Sequence, residues 1–218
     1  MAHVESKKDY LFGVASGFLI GLLLMPILKT AKPELFVMLQ FVLIPLFTIA
    51  VPLGLVIASW ISRKIPIIWQ LAKFIVIGGL NTLVDIGALA YILSLAAKSD
   101  YPIASNDILF TLFVPVAFFT LYKSISFFIA NANSYFWNKY WTFGSNEEKK
   151  SSTEFLQFLI VSLIGFFINI VASSLIFSFF HKIGGLTADQ WALIGAAAGS
   201  ISGLAWTFIG YKFIVFKK

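Results

Sequence analysis

The sequence contains no cysteine, so it can form no disulfide framework and do no thiol chemistry. Charge is scarce as well. Asp, Glu, Lys and Arg make up 12% of its 218 residues, too few to cover a water-soluble domain of that length. Histidine occurs only at His3 and His181, both outside the apolar runs and read as solvated side chains, not ligands. No H-E-x-x-H, no phosphate-cradling G-x-x-x-x-G-K-[ST] and no acidic pair with nucleotide-sugar spacing is present. No enzyme, metal site or cofactor is therefore expected. Strand-length alternation is missing too, which excludes a membrane β-barrel.

What is abundant is hydrocarbon. Hydrophobic residues make up 59% of the chain, with 24 Phe, and the mean hydropathy is +0.90. Apolar runs of about 18 residues or more predict an all-α, polytopic transmembrane helix bundle. The formal net charge of +6 suggests membrane lipids with anionic headgroups as neighbours, and no nucleic acid.

Six helices are drawn, at Leu11–Leu28, Leu35–Ile61, Leu71–Leu95, Ile108–Asn138, Phe155–Phe180 and Trp191–Phe213. With both termini in the cytoplasm, the inner side collects eleven basic residues, among them Lys7, Arg63, Lys73, Lys139 and Lys212. The outer side holds four, Lys29, Lys32, Lys98 and Lys182. That bias sets the expected orientation. The short Arg63-Lys-Ile-Pro66 connector marks residues 1–65 as an additional N-terminal hairpin before a four-helix unit over 70–218.

The chain's organising stretch is Asn131-Ala-Asn-Ser-Tyr-Phe-Trp-Asn-Lys-Tyr-Trp-Thr-Phe143. Amphipathic rings gather there as at a headgroup layer. On a helical wheel Ser126, Asn131, Ser134 and Asn138 share an arc of about 140°. A polar stripe of this kind cannot face lipid, so it faces protein, water or a polar ligand.

From Lys73 onward the chain is read as a parallel repeat of two helical hairpins. Lys73 to Asp85 aligns with Gln157 to Asn169, and Lys139-Tyr-Trp-Thr-Phe143 with Lys212-Phe-Ile-Val-Phe216. The first half has the longer outer connection, which places Ile108–Pro115 on the surface and the span's true start near Val116. Two ladders, Gly13-x-x-x-Gly17-x-x-x-Gly21 and Gly195-x-x-x-Gly199-x-x-x-Gly203, allow close helix approach. They are expected either to pack the added hairpin on the core or to form a homodimer.

The linked motifs Lys73-Phe…Gly78-Gly-Leu-Asn-Thr82…Asp85, Asn131…Asn138-Lys-Tyr-Trp-Thr-Phe143 and Tyr211-Lys-Phe-Ile-Val-Phe216 resemble the GtrA-like membrane proteins over about Gln70 to Phe216. The resemblance implies a four-helix unit of a bacterial or archaeal cytoplasmic membrane that handles polyprenyl-phosphate-linked sugars for cell-surface glycosylation. Its best-known implied role is carrying undecaprenyl-phosphate-glucose across the bilayer. The other implied role is anchoring a glycosyltransferase, which would then be a partner. Lysine stands where the family's cytoplasmic motif often has arginine, so any phosphate grip by Lys139 and Lys212 would be less directional.

Under that resemblance the substrate-binding candidates are Asn81, Asp85, Lys123, Asn131, Asn138, Lys139, Asn169 and Lys212. Asp85 and Lys123 are the deepest ionisable pair, and either charge alone would cost roughly 2.5–3.5 kcal/mol to insert. They are read either as a structural ion pair or as the point where a lipid phosphate passes. The amides of Asn81, Asn131, Asn138 and Asn169 either bond neighbouring helices or meet sugar hydroxyls. Lys139 and Lys212 either anchor helix ends or dock the headgroup, with Lys73 and Arg63 adding to the field.

Overall fold

Long apolar runs with no competing two-residue period fold as helices, and a computed structural model of the chain shows them as such. It describes residues 6–98, 107–111, 115–144, 151–179 and 188–217. In chain order these form α1 (Lys7–Ala31), α2 (Pro33–Leu39), α3 (Leu43–Ser62), α4 (Ile67–Ala97), β1 (Ile108–Thr111), β2 (Pro115–Ala117) and α5 (Phe118–Trp137). A π-helical turn (Asn138–Thr142) continues α5. Then follow α6 (Ser151–Phe179), α7 (Ala188–Gly210) and a second π turn (Tyr211–Val215). His3, His181, Lys182 and most of the charged loop after Gly144 lie outside the described residues.

Local chemistry sets the boundaries. At the head of α1, Ser6 and Asp9 form a reciprocal capping box: Ser6 Oγ accepts from Lys8 N, and Asp9 Oδ2 accepts from Ser6 N at 3.1 Å, satisfying orphan donors. The run Leu35–Ile61 is not one helix, contrary to expectation. It breaks at residues 40–42 between α2 and α3. Pro45, near the start of α3, has no N–H to give and its ring clashes with the carbonyl four residues back, so no α-helix passes that point unbroken. Residues 108–117 are the predicted surface segment, but they form a short antiparallel hairpin, Ile108 opposite Ala117, where only helices were expected. Helix α5 starts two residues after the expected Val116. Gly144 closes the first π turn at φ +58°, a left-handed conformation that suits glycine.

The chain divides into two compact units, residues Met1–Thr142 and Phe143–Lys218. In the first, α1 packs on α3, and both pack on α4. Gly13, Gly17 and Gly21 face α3, where a Cβ on Gly17 would lie 2.2 Å from the Phe47 carbonyl oxygen. Ile20, Leu55, Ala58, Trp69, Ile77, Leu80 and Trp141 make the apolar core. In the second unit, α6 and α7 close over Gly165, Gly199 and Gly203, and a Cβ on Gly199 would lie 2.4 Å from the Asn169 carbonyl oxygen. The glycines described in the two ladders therefore pack α1 on α3 and α7 on α6. Neither of the two expected uses is what the structure shows for them.

Four stretches are long and apolar enough to cross a membrane among the described residues: Lys7–Thr30, Leu43–Ser62, Ile67–Ala97 and Ser152–Ile176. Large apolar side chains such as Leu11, Ile49, Ile57 and Phe167 stay outward, as lipid-facing residues do. The molecule is a helical membrane bundle.

The repeat shows in local geometry. Each hairpin ends in a five-residue π turn with its lysine second. Lys139 Nζ lies over the rings of Tyr135 and Tyr140, at 5.5 and 5.9 Å. Lys212 Nζ lies over those of Phe208 and Phe213, at 5.8 and 5.6 Å. The offsets, four residues back and one forward, are the same in both. Two aromatic faces attract each cation without neutralising it.

Candidate functional site

The polar stripe predicted on α5 is turned inward. Ser126, Asn131, Ser134 and Asn138 are all buried, in a helix whose Phe128, Ile129 and Phe136 remain outward. Helix α4 supplies the other wall, since its Asn81 and Asp85 lie one turn apart.

At one end of this seam Lys123 Nζ donates to Asp85 Oδ2 in an ion pair. Ser126 Oγ lies 2.7 Å from Asp85 Oδ1 and 3.0 Å from the Lys123 carbonyl. Both carboxylate oxygens are thus held, one by a cation and one by a hydroxyl. Lys123 lies five residues inside α5, about 8 Å from its start, so the pair sits nearer that end than the π turn. The Lys123 side chain keeps 42% of its surface accessible and that of Asp85 23%. The ammonium is paired but reachable.

Further along the seam Asn133 Nδ2 approaches Asn81 Oδ1 at 3.5 Å, joining α5 to α4. Asn131 donates to the Phe127 carbonyl at 2.9 Å. Asn138 donates to the Ser134 carbonyl at 2.9 Å and to Ser134 Oγ at 3.1 Å. What Asn138 leaves over is its acceptor: Oδ1 is buried without a hydrogen-bond partner among the described residues, as are Trp141 Nε1 and Thr142 Oγ1 on the same turn. Leaving such a group unsatisfied costs about 1–3 kcal/mol. Lys139, also buried, donates to Tyr135 Oη at 3.2 Å.

Six predicted residues therefore lie along one wall-to-wall seam of the first unit: Asn81, Asp85, Lys123, Asn131, Asn138 and Lys139. Asn169 and Lys212 belong to the second unit. Asn169 Oδ1 accepts from Ser173 Oγ at 3.3 Å, and its backbone touches the glycine face of α7, a packing position. Lys212 is half-buried between its two rings.

Lys73 departs from its expected place. It was read as a basic group adding to the field at the membrane surface, but only 2% of it is accessible. Its Nζ lies 3.0 Å from Asp9 Oδ1 and donates to the Trp141 carbonyl at 2.9 Å. The Trp69 and Trp141 rings flank it at 5.2 and 5.9 Å. This pairing ties α1, α4 and the π turn together. It spans 64 residues, beyond any local pattern, although Ser6-x-x-Asp9 is readable as a cap. Thr142 was also overlooked, because a helical wheel drawn from Lys123 does not anticipate a π turn.

No curated protein and no solved structure matches the chain. The model of one family, the GtrA/DPMS transmembrane domain, matches residues 73–216, about two thirds of the sequence. Its first matched residue is the buried Lys73, and its last is the residue that follows the second π turn. Both hairpins, both π turns and the polar seam fall inside it, so the chain belongs to the GtrA/DPMS transmembrane-domain family, membrane proteins of polyprenyl-linked sugar handling.

Proposed function

We propose that the protein translocates a polyprenyl-phosphate-linked monosaccharide from the cytoplasmic to the outer leaflet for cell-surface glycosylation. The observation that carries this reading is the polar seam between α4 and α5, with a cation at each end and amides between. The added hairpin, residues 1–65, would brace the unit over 70–218, and both termini would be cytoplasmic. Lys139 and Lys212, cations cradled by rings, would dock the anionic head. The prenyl tail would stay in lipid while the sugar moves along Asn138, Asn131 and Asn81.

Lys123 supplies one positive charge, and a sugar phosphodiester carries one negative charge. The arriving phosphate would displace Asp85 from Lys123, and Ser126 would keep hold of the freed carboxylate. Re-pairing would then expel the phosphate. An ion pair that opens for substrate makes a two-state switch. No coupling element was read in the sequence, so movement would run downhill, driven by consumption of the sugar outside.

In proteoliposomes carrying labelled lipid-linked sugar, Lys123→Met should slow translocation by on the order of 10- to 100-fold. That is the worth of one charge-assisted hydrogen bond. Asp85→Asn with Lys123→Met, which leaves no unpaired charge, should fold and remain as slow. Translocation at the wild-type rate in both variants removes the mechanism. Full glycosylation by both in cells would favour instead an anchor for a glycosyltransferase.

A further inference from the structure

We propose that the first π turn reads the sugar of the lipid-linked substrate, through Asn138 Oδ1 and Thr142 Oγ1. The inference rests on the lipid-linked sugar reading above and assigns which groups recognise the carbohydrate. Asn138 and Thr142 are 1% and 2% accessible, and both atoms lack a partner among the described residues. They sit four residues apart on one π turn, a helical form that concentrates at functional sites.

Their chemistry selects the ligand. Asn138 has committed its amide N–H to Ser134, so it offers no donor to a phosphate. A bare carbonyl oxygen repels an anion and accepts from a hydroxyl. A threonine hydroxyl both donates and accepts. An acceptor beside a donor–acceptor suits a pair of sugar hydroxyls, while neighbouring Lys139 supplies the charge for the phosphate.

The second π turn provides the contrast. Its lysine is cradled in the same way, but the other two positions differ. Tyr211, in the place of Asn138, has its hydroxyl 2.6 Å from Ser162 Oγ and its ring stacked on Phe158 at 4.1 Å. Val215, in the place of Thr142, has no polar atom. The cation is therefore common to both turns, and the hydroxyl-matching pair belongs to the first. One turn recognises a sugar phosphate, and the other recognises only the charge.

The test uses the full chain in nanodiscs and two kinds of probe. One is a polyprenyl phosphate; the other is the same lipid bearing glucose, galactose or mannose on its phosphate. Wild type should bind at least one glycosylated lipid more tightly than the bare one. Thr142→Val, which keeps the shape and loses the hydroxyl, should weaken the preferred glycosylated lipid about three- to tenfold. Asn138→Leu should do the same, with the bare lipid unchanged within about twofold for both variants. Thr142→Ser should retain wild-type discrimination.

Equal weakening of both lipids, or a wild type that does not prefer any sugar, overturns the assignment. So does a variant with a lowered melting temperature and intact discrimination, the pattern of a buried water site. Tight, sugar-dependent binding without movement across the bilayer would remove the translocation reading and leave this one standing.

Discussion

Asp9→Asn should destabilise the protein by about 3–5 kcal/mol, the usual loss when one partner of a buried ion pair is removed. The substitution keeps the shape of the side chain and an acceptor for Ser6 N, so the helix cap survives. What it removes is the charge beside Lys73, whose ammonium would remain enclosed by Trp69, Trp141 and the Trp141 carbonyl. Lys73→Met added to Asp9→Asn removes the stranded charge as well and should recover most of the loss. Thermal unfolding in detergent micelles measures both. If the single variant matches wild type, or if the double variant is worse than the single, the pair does not hold the first unit together. Exchanging the two residues should not rescue, because an aspartate at position 73 would face the Trp141 carbonyl.

Gly17→Ala should be nearly as damaging. The added methyl would lie 2.2 Å from the Phe47 carbonyl oxygen and 3.1 Å from Thr48 Cα. Those are backbone atoms, so no rotamer change makes room and α1 must move off α3. Overpacking of this kind typically costs about 1–3 kcal/mol, and a contact this short lies towards the upper end. Gly54→Ala is the matched control, since nothing lies within 4 Å of a Cβ there. It should be neutral or gain up to about 1 kcal/mol from helix propensity. Equal melting temperatures for the two variants would contradict close packing along the Gly13–Gly17–Gly21 face.

The helical bundle was legible because lipid permits few backbones and the apolar runs carry helix length. The stripe of Ser126, Asn131, Ser134 and Asn138 was legible for a related reason: a polar residue at each turn of an apolar helix has to be hidden. Pairing of Asp85 with Lys123 followed from equal depth. Other features were not readable, because they depend on contacts between distant segments. Nothing near Lys73 says that its counterion lies before the first span. The glycine spacing shows that a helix approaches closely, but not which one. The break before α3 was legible in principle, since Pro45 stood in the middle of the expected span, but hydropathy was given precedence over backbone chemistry. The π turns fall between the two periods that a wheel or a strand pattern detects.

Those turns also bear on how the two hairpins can change. A π turn holds one more residue than the α-helix around it accommodates. Deleting a single residue between Asn138 and Thr142, or between Tyr211 and Val215, would let the backbone relapse into ordinary α-helix. Everything after the deletion would then swing by about 100°. The first lesion would carry Phe143 and Gly144 away from the chain reversal they make. Residue number in each turn is therefore as constrained as residue type, and related chains should vary there by substitution far more readily than by insertion or loss.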